Sequence, residues 1–179
     1  MIDTHAIIHK YYSGQQELQR ILTIHSQSVK LKALEIAARH PELQLDTEFI
    51  AEAAMLHDIG IFKCYAPGIQ CFGPHKYIEH GYLGADMLRE EGLPRHALVC
   101  ERHTGTGLTL KSIIDNNLPL PHREMTPQSE EEKVICYADK FFSKSELEVE
   151  HSVEKIRKEL AKYGECQLRV FDSWHSVYS

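Results

Sequence analysis

No apolar run in this chain approaches the roughly 18–20 residues needed to cross a bilayer, and the opening MIDTHAIIHKYY lacks a basic stretch leading into an apolar one. A cytoplasmic protein with no membrane partner is expected. Blocks of Lys and Arg are also missing: 20 basic against 26 acidic side chains give a net charge of −6. The sequence-independent attraction to phosphate backbones is therefore absent, and duplex nucleic acid is not an expected partner. The five cysteines, Cys64, Cys71, Cys100, Cys136 and Cys166, are odd in number and never spaced C-x-x-C, which argues against a disulfide framework and a thiolate zinc site. Neither G-x-S-x-G nor H-E-x-x-H occurs. In GTGLTLKS, from Gly105 to Ser112, Leu110 stands where a phosphate-binding loop requires Gly.

What is abundant is histidine, at 12 against 10 Gly. The 179 residues, 42% apolar and 26% charged, suit one globular domain. Apolar side chains recur at steps of three and four, and no alternating β-branched run is bounded by turn signals, so the fold is expected to be all-α. One helix spans about 14 to 39, with Leu18, Ile21, Leu22, His25, Val29, Ala33 and Ile36 on its stripe. A second starts near Asp46 or Thr47 and stops at Gly60, placing His57 and Asp58 in its last turn. Residues 61–73 read as a loop able to cover a pocket. A helix from Pro74 to Gly92 contains Gly81 and Gly84, a sign that another backbone comes close. The next follows Pro94 and ends near His103. Residues 115–128 form a proline-bearing loop, and Ser129 with Glu132 opens a helix holding Asp139. Amphipathic helices over 150–178, broken at Gly164, turn Val170, Phe171, Trp174 and Val177 inward.

A lone His on an apolar face is more often a satisfied core residue than a ligand, and an adjacent His-Asp pair arises readily by chance. An Asp within an apolar stripe is harder to explain, because an unpaired buried carboxylate costs several kcal/mol or protonates. His25, His57, Asp58 and Asp139 together raise that problem, and a shared metal ion removes it. His80 and His103, each beside glycines, add two imidazoles, and six N/O ligands suit one six-coordinate ion or two ions bridged by a carboxylate. Asp58 has an oxygen to spare for the bridge.

In order, HSQSVK, LHDIGIFK, EHGYLGA, ERHTGTG and YADKF resemble the HD superfamily of metal-dependent phosphohydrolases over about residues 20 to 145. The motif order His, His-Asp, Asp is filled by His25, His57-Asp58 and Asp139, and Ile59-Gly60 completes the HDIG form. His80 and His103 match the two further histidines of the dinuclear branch, which includes the bacterial symmetric diadenosine tetraphosphate hydrolases. A single His103 followed by TGTG departs from the cyclic-di-GMP branch, and the Glu-Asp pair of the guanosine tetraphosphate hydrolases is missing. The resemblance implies an HD-domain helical bundle as a single domain over 1–179, with a core of about 20–145 and a helical extension over about 150–178.

It also implies a metal-dependent phosphohydrolase in which Asp58 and His57 are catalytic. The metal ligands are His25, His57, Asp58, His80, His103 and Asp139, with Asp58 bridging. His25, His57 and Asp139 would hold one divalent ion, and His80 with His103 the other. Iron comes first as the metal, with Mn, Co, Ni and Zn compatible. Lys63, Arg102, Lys140 and His75 are candidate phosphate contacts, although each would serve equally well to solvate a helix end. The expected partner is a small phosphorylated molecule, foremost a nucleotide, acting on a monomer or a homodimer joined near Trp174. A di-iron oxygenase on the same six ligands is the alternative. A non-catalytic binding domain is a third reading, disfavoured because all six ligands are present.

Overall fold

A computed structural model describes residues 2–179, and among them the architecture is helical apart from one two-residue-by-two-residue hairpin. Helix α1 (Thr4–Tyr12) starts on Asp3, whose carboxylate accepts the Ala6 amide, and turns through Gly14 into α2 (Gln16–Arg39). The 24 residues of α2 form the spine, with Leu18, Ile21, Leu22, His25, Ser26, Val29, Ala33 and Ile36 buried along one stripe. Pro41 stops it. Helix α3 (Thr47–Leu56) begins on Asp46, which accepts the Phe49 amide at 3.0 Å.

The 61–73 segment is more ordered than a plain loop: short 3-10 turns flank β1 (Tyr65–Ala66) and β2 (Cys71–Phe72), paired antiparallel. Ala66 and Cys71 face inward while Tyr65 and Phe72 stay exposed. The expected helix from Pro74 is shorter at its start, because a 3-10 turn over Tyr77–Glu79 precedes α4 (His80–Glu90). Helix α5 (Pro94–Arg102) carries Pro94 in its first turn, where a missing N–H costs nothing. Then come α6 (Leu110–Asp115), an irregular stretch to Gln128, α7 (Glu130–Asp139), α8 (Val153–Ala161) and α9 (Glu165–Tyr178). Only half of the expected capping box forms on α7: Ser129 Oγ accepts the Glu132 amide, but the Glu132 carboxylate takes Arg102 and the Gln128 amide instead.

Two apolar clusters fill the interior. One joins α2, α3, α7, α8 and α9 through Val29, Ile36, Ile50, Ile135, Phe171 and Trp174. The other joins α1, α2, the end of α3, α4 and α5 through Ile8, Tyr12, Leu22, Leu56, Leu88 and Ala97. His25 lies on α2 between Leu22 and Val29, where they meet. Trp174 is buried against this chain's own core, and Val177, expected inward, is exposed while Tyr178 is buried in its place. Among the described residues no helix is long and apolar enough to cross a membrane.

One contact sets the depth of the centre. A Cβ on Gly60 would stand 2.3 Å from the His80 carbonyl oxygen and 2.6 Å from the Gly84 nitrogen, and one on Gly84 would meet Cys100 Sγ at 2.6 Å. Backbone therefore touches backbone where the turn after α3 crosses α4, and the Cys100 side chain of α5 closes over Gly84. The close approach anticipated at Gly84 is this three-way contact, and it carries His57-Asp58 up against His80.

Candidate metal centre

Five elements converge. His25 comes from mid-α2, His57 and Asp58 from the turn just past α3 rather than from its last turn, His80 from the first residue of α4, His103 from the cap of α5, and Asp139 from the last residue of α7. Three of the imidazoles share one local device. His57 Nδ1 donates to the Ala54 carbonyl at 2.7 Å, His80 Nδ1 to that of Tyr77 at 2.6 Å, and His103 Nδ1 to that of Cys100 at 2.7 Å. Because a carbonyl only accepts, the proton of each neutral ring sits on Nδ1 and the Nε2 lone pair points into the site.

Around Asp58 those nitrogens fall into two groups. Oδ2 lies 3.1 Å from His25 Nε2 and 3.0 Å from His57 Nε2, and Asp139 Oδ1 is 3.0 and 3.3 Å from the same two atoms. Oδ1 lies 3.3 Å from both His80 Nε2 and His103 Nε2. Those last two nitrogens are 3.0 Å apart. When both rings are neutral, their Nδ1 protons are committed to carbonyls and two lone pairs face each other in a buried space. Ligands at right angles on an ion with bonds of about 2.1 Å stand about 3.0 Å apart, so the spacing fits a shared cation. Asp58 is wholly buried, and besides these imidazole nitrogens its oxygens meet a single ammonium, that of Lys144, on Oδ2. The donor set fits divalent first-row ions.

Electrostatics separate the two groups. Burial works against charge on Asp58, yet Lys144, His57, His103 and His25 hold its carboxyl well below the usual range. Asp139 is likewise held low against its burial by Lys140, His25 and His57. His57 is disfavoured as a cation by burial, but Asp58 and Asp139 outweigh that and raise it to about 10. His103 is pushed down to about 4 by burial, which Asp58 only partly offsets.

The centre opens into a cavity of about 660 Å³ walled by Tyr77, Ile78, Thr104, Leu108, Ser112, Asn116, Leu118, Lys140, Lys144, Lys162, Tyr163 and Gln167. A second cavity of about 350 Å³ lies between Tyr77, Asp139, Lys144, Phe142, Ser143 and the hairpin residues Ala66, Gly68 and Ile69. The 61–73 segment therefore does wall a pocket. Of the expected phosphate contacts, Lys140 lines the larger cavity, bonded to Asp139 Oδ2 at 2.8 Å and the His103 carbonyl at 3.1 Å. Arg102 is turned to Glu132 at 3.0 Å, His75 pairs with Glu79 at 3.2 Å, and neither they nor Lys63 are among the residues lining either cavity.

Sequence reasoning missed Lys144, whose ammonium is 2.5 Å from Asp58 Oδ2. It also missed Lys162, Tyr163 and Gln167, contributed by the α8–α9 turn. The only signal for Lys144 is its place five residues after Asp139 in YADKFFSKS, past the end of α7, where helical periodicity no longer reports facing.

The HD domain profile matches residues 22–144, more than two thirds of the chain, and spans all six candidate ligands. The chain belongs to the HD domain family. It is 33% identical over 131 residues to an uncharacterized protein of Methanocaldococcus jannaschii, covering 72% of this chain and 70% of that protein. It is 31% identical over 136 residues to a protein of Thermoplasma volcanium named tRNA (cytidine(56)-2'-O)-methyltransferase, covering 75% of this chain but 36% of that one. A protein of the same name from Picrophilus torridus is 32% identical over 99 residues, covering 55% of this chain and 25% of its own length. The matched HD segment is thus a minority of both methyltransferases. No solved structure matches the chain.

Proposed function

We propose that this HD domain is a metal-dependent phosphohydrolase acting on a small phosphorylated molecule, a nucleotide foremost, with two divalent ions. The observation that carries the reading is the facing pair of Nε2 atoms of His80 and His103 beside one oxygen of Asp58, whose other oxygen faces His25 and His57. His25, His57 and Asp139 would hold one ion, His80 and His103 the other, and Asp58 both. Ions held there supply Lewis-acid charge beside a phosphate and lower the pKa of water from about 15.7 toward 7.

The chain's own residues perform the rest. Lys140, pinned by Asp139 and the His103 carbonyl, presents a fixed ammonium at the mouth of the centre. In a protein of net charge −6, that local cation offsets the repulsion an anionic substrate would meet. Leu108, Leu118 and Ile78 give the same cavity an apolar wall suited to the non-phosphate part of the ligand. Methyl transfer needs no such ligand cluster, so the tRNA methyltransferase name is not carried over from relatives in which the matched segment is a minority.

Elemental analysis of protein purified without chelator under low oxygen, followed by phosphate-release assays on nucleotides with oxygen uptake recorded in parallel, tests the reading. About two first-row ions per chain and metal-dependent phosphate release are expected. Oxygen uptake without phosphate release would replace it with the oxygenase chemistry, and no metal after reconstitution would leave a binding module.

A further inference from the structure

Lys144 stands apart from the other cations near the centre. Lys140 is held by Asp139 and by a backbone carbonyl, so its position does not depend on Asp58. The Lys144 ammonium instead rests 2.5 Å from Asp58 Oδ2, the oxygen that also faces His25 and His57. Its side chain is 13% exposed and sits 5.9 Å from the centre of the Tyr77 ring. Together with Tyr77 and Asp139 it borders both cavities, so the two spaces meet at this side chain. It belongs to the non-helical stretch after α7, where Ser143 and Ser145 bond to each other rather than to a neighbouring element. Nothing regular clamps it in place.

One carboxylate oxygen does not serve an ammonium and a divalent ion equally well. The two cations repel at such range, and the ion would bind the lone pairs of His25 and His57 together with Oδ2, whereas the ammonium is paired with Oδ2 and not with those two rings. From this geometry we propose that Lys144 is a tethered cation that exchanges partners. It neutralises Asp58 in the metal-free centre, competes with the ion for Oδ2, and once displaced turns its ammonium into the cavity as a contact for the substrate's phosphate. The proposal rests on the metal-dependent reading above and adds a coupling between metal loading and anion binding.

The coupling has a signature of opposite signs. A plain phosphate contact, once removed, weakens anion binding and leaves metal affinity alone, whereas a structural lysine, once removed, weakens both. Removing an exchanging lysine tightens metal binding and weakens anion binding. Calorimetric titration of full-length, chelator-treated protein with Mn(II), then of the Mn(II)-loaded protein with inorganic phosphate, reads both. Lys144→Met should bind Mn(II) about tenfold tighter, within the usual range of couplings between sites. It should bind phosphate about tenfold weaker, the loss expected for one charge-assisted hydrogen bond.

Lys144→Gln, whose amide still donates to Asp58, guards against a variant that fails to fold without its buried partner. The same two signs are expected for it, and Lys144→Arg should stay near the wild type for phosphate. Mn(II) affinity unchanged or weakened in both neutral variants would overturn the exchange. No Mn(II) uptake by the wild type would overturn the metal-dependent reading itself, a distinguishable failure.

Discussion

The two sides of Asp58 solve the same problem with different means. On the side of His25, His57 and Asp139, a second carboxylate is present and His57 is raised to about 10, so without metal a proton and the lysine ammoniums balance the charge. On the side of His80 and His103 there is no second carboxylate, His103 is lowered to about 4, and the two Nε2 atoms face each other 3.0 Å apart. The first side balances its charge without an ion, and the second offers a cation fewer charged groups. Ligand number and need for the metal are therefore separate properties of a centre, and here they run in opposite directions.

Asp58→Asn erases the comparison and should have the largest effect. An amide cannot offer one anionic oxygen to each side, so metal content should fall to near zero by elemental analysis. Turnover should drop by more than about 100-fold, beyond what a lost outer partner of a metal ligand costs. Stepwise chelation keeps the comparison and ranks its sides. With one shared carboxylate and two imidazoles against two carboxylates and two imidazoles, the His80/His103 side should empty first, giving two phases of metal release by atomic absorption; His80→Ala should leave only the slower one.

A smaller effect concerns the stability of metal-free protein. His57 is raised in the fold, so its contribution is whole below its unfolded value of about 6.5 and is lost as pH rises through about 10. His103 is lowered, so stability falls as pH drops from about 6.5 through about 4, where the unfolded chain binds a proton that the fold refuses. Thermal melts of chelated protein should peak near pH 6.5. His57→Gln should remove the decline between about pH 6.5 and 9, below the range where the unfolded chain ionises the buried cysteines and tyrosines, and leave the acidic one, whereas an unchanged decline in that window would break the assignment of that proton to the first side.

Much of this was legible in the sequence because helices report facing. His25 and Asp139 stood on apolar stripes, and the glycines at 81 and 84 announced close backbone approach. All six expected ligands come together in one cluster. Less was legible where periodicity fails. Pro74 suggested a helix start, but Glu79 caps the Lys76 amide in a 3-10 turn and the α-helix begins only at His80. The hairpin at 65–72 is too short for an alternating pattern to show. Arg102 read as a phosphate contact because its charge lies next to His103, yet neighbouring positions on a helix point different ways, and it meets Glu132. Lys144 and the 162–167 turn reach the cavity through tertiary packing alone, which no local pattern encodes.

Gln167 ties that turn to the metal centre. Its Oε1 accepts the Thr106 amide at 2.6 Å and the Thr106 hydroxyl at 2.9 Å, its Nε2 donates to the Gly107 carbonyl at 2.8 Å, and a Cβ on Gly105 would meet Oε1 at 2.4 Å. The loop that leaves His103 is thereby stapled to a helix lying beyond the segment matched by the HD profile. The tail is thus held to the bundle twice, by this three-bond joint at the loop after His103 and by Phe171, Trp174 and Tyr178 in the shared apolar core. Grafting another tail that preserves this glutamine and those three core aromatics should recast the distal cavity wall while leaving the six candidate ligands where they are.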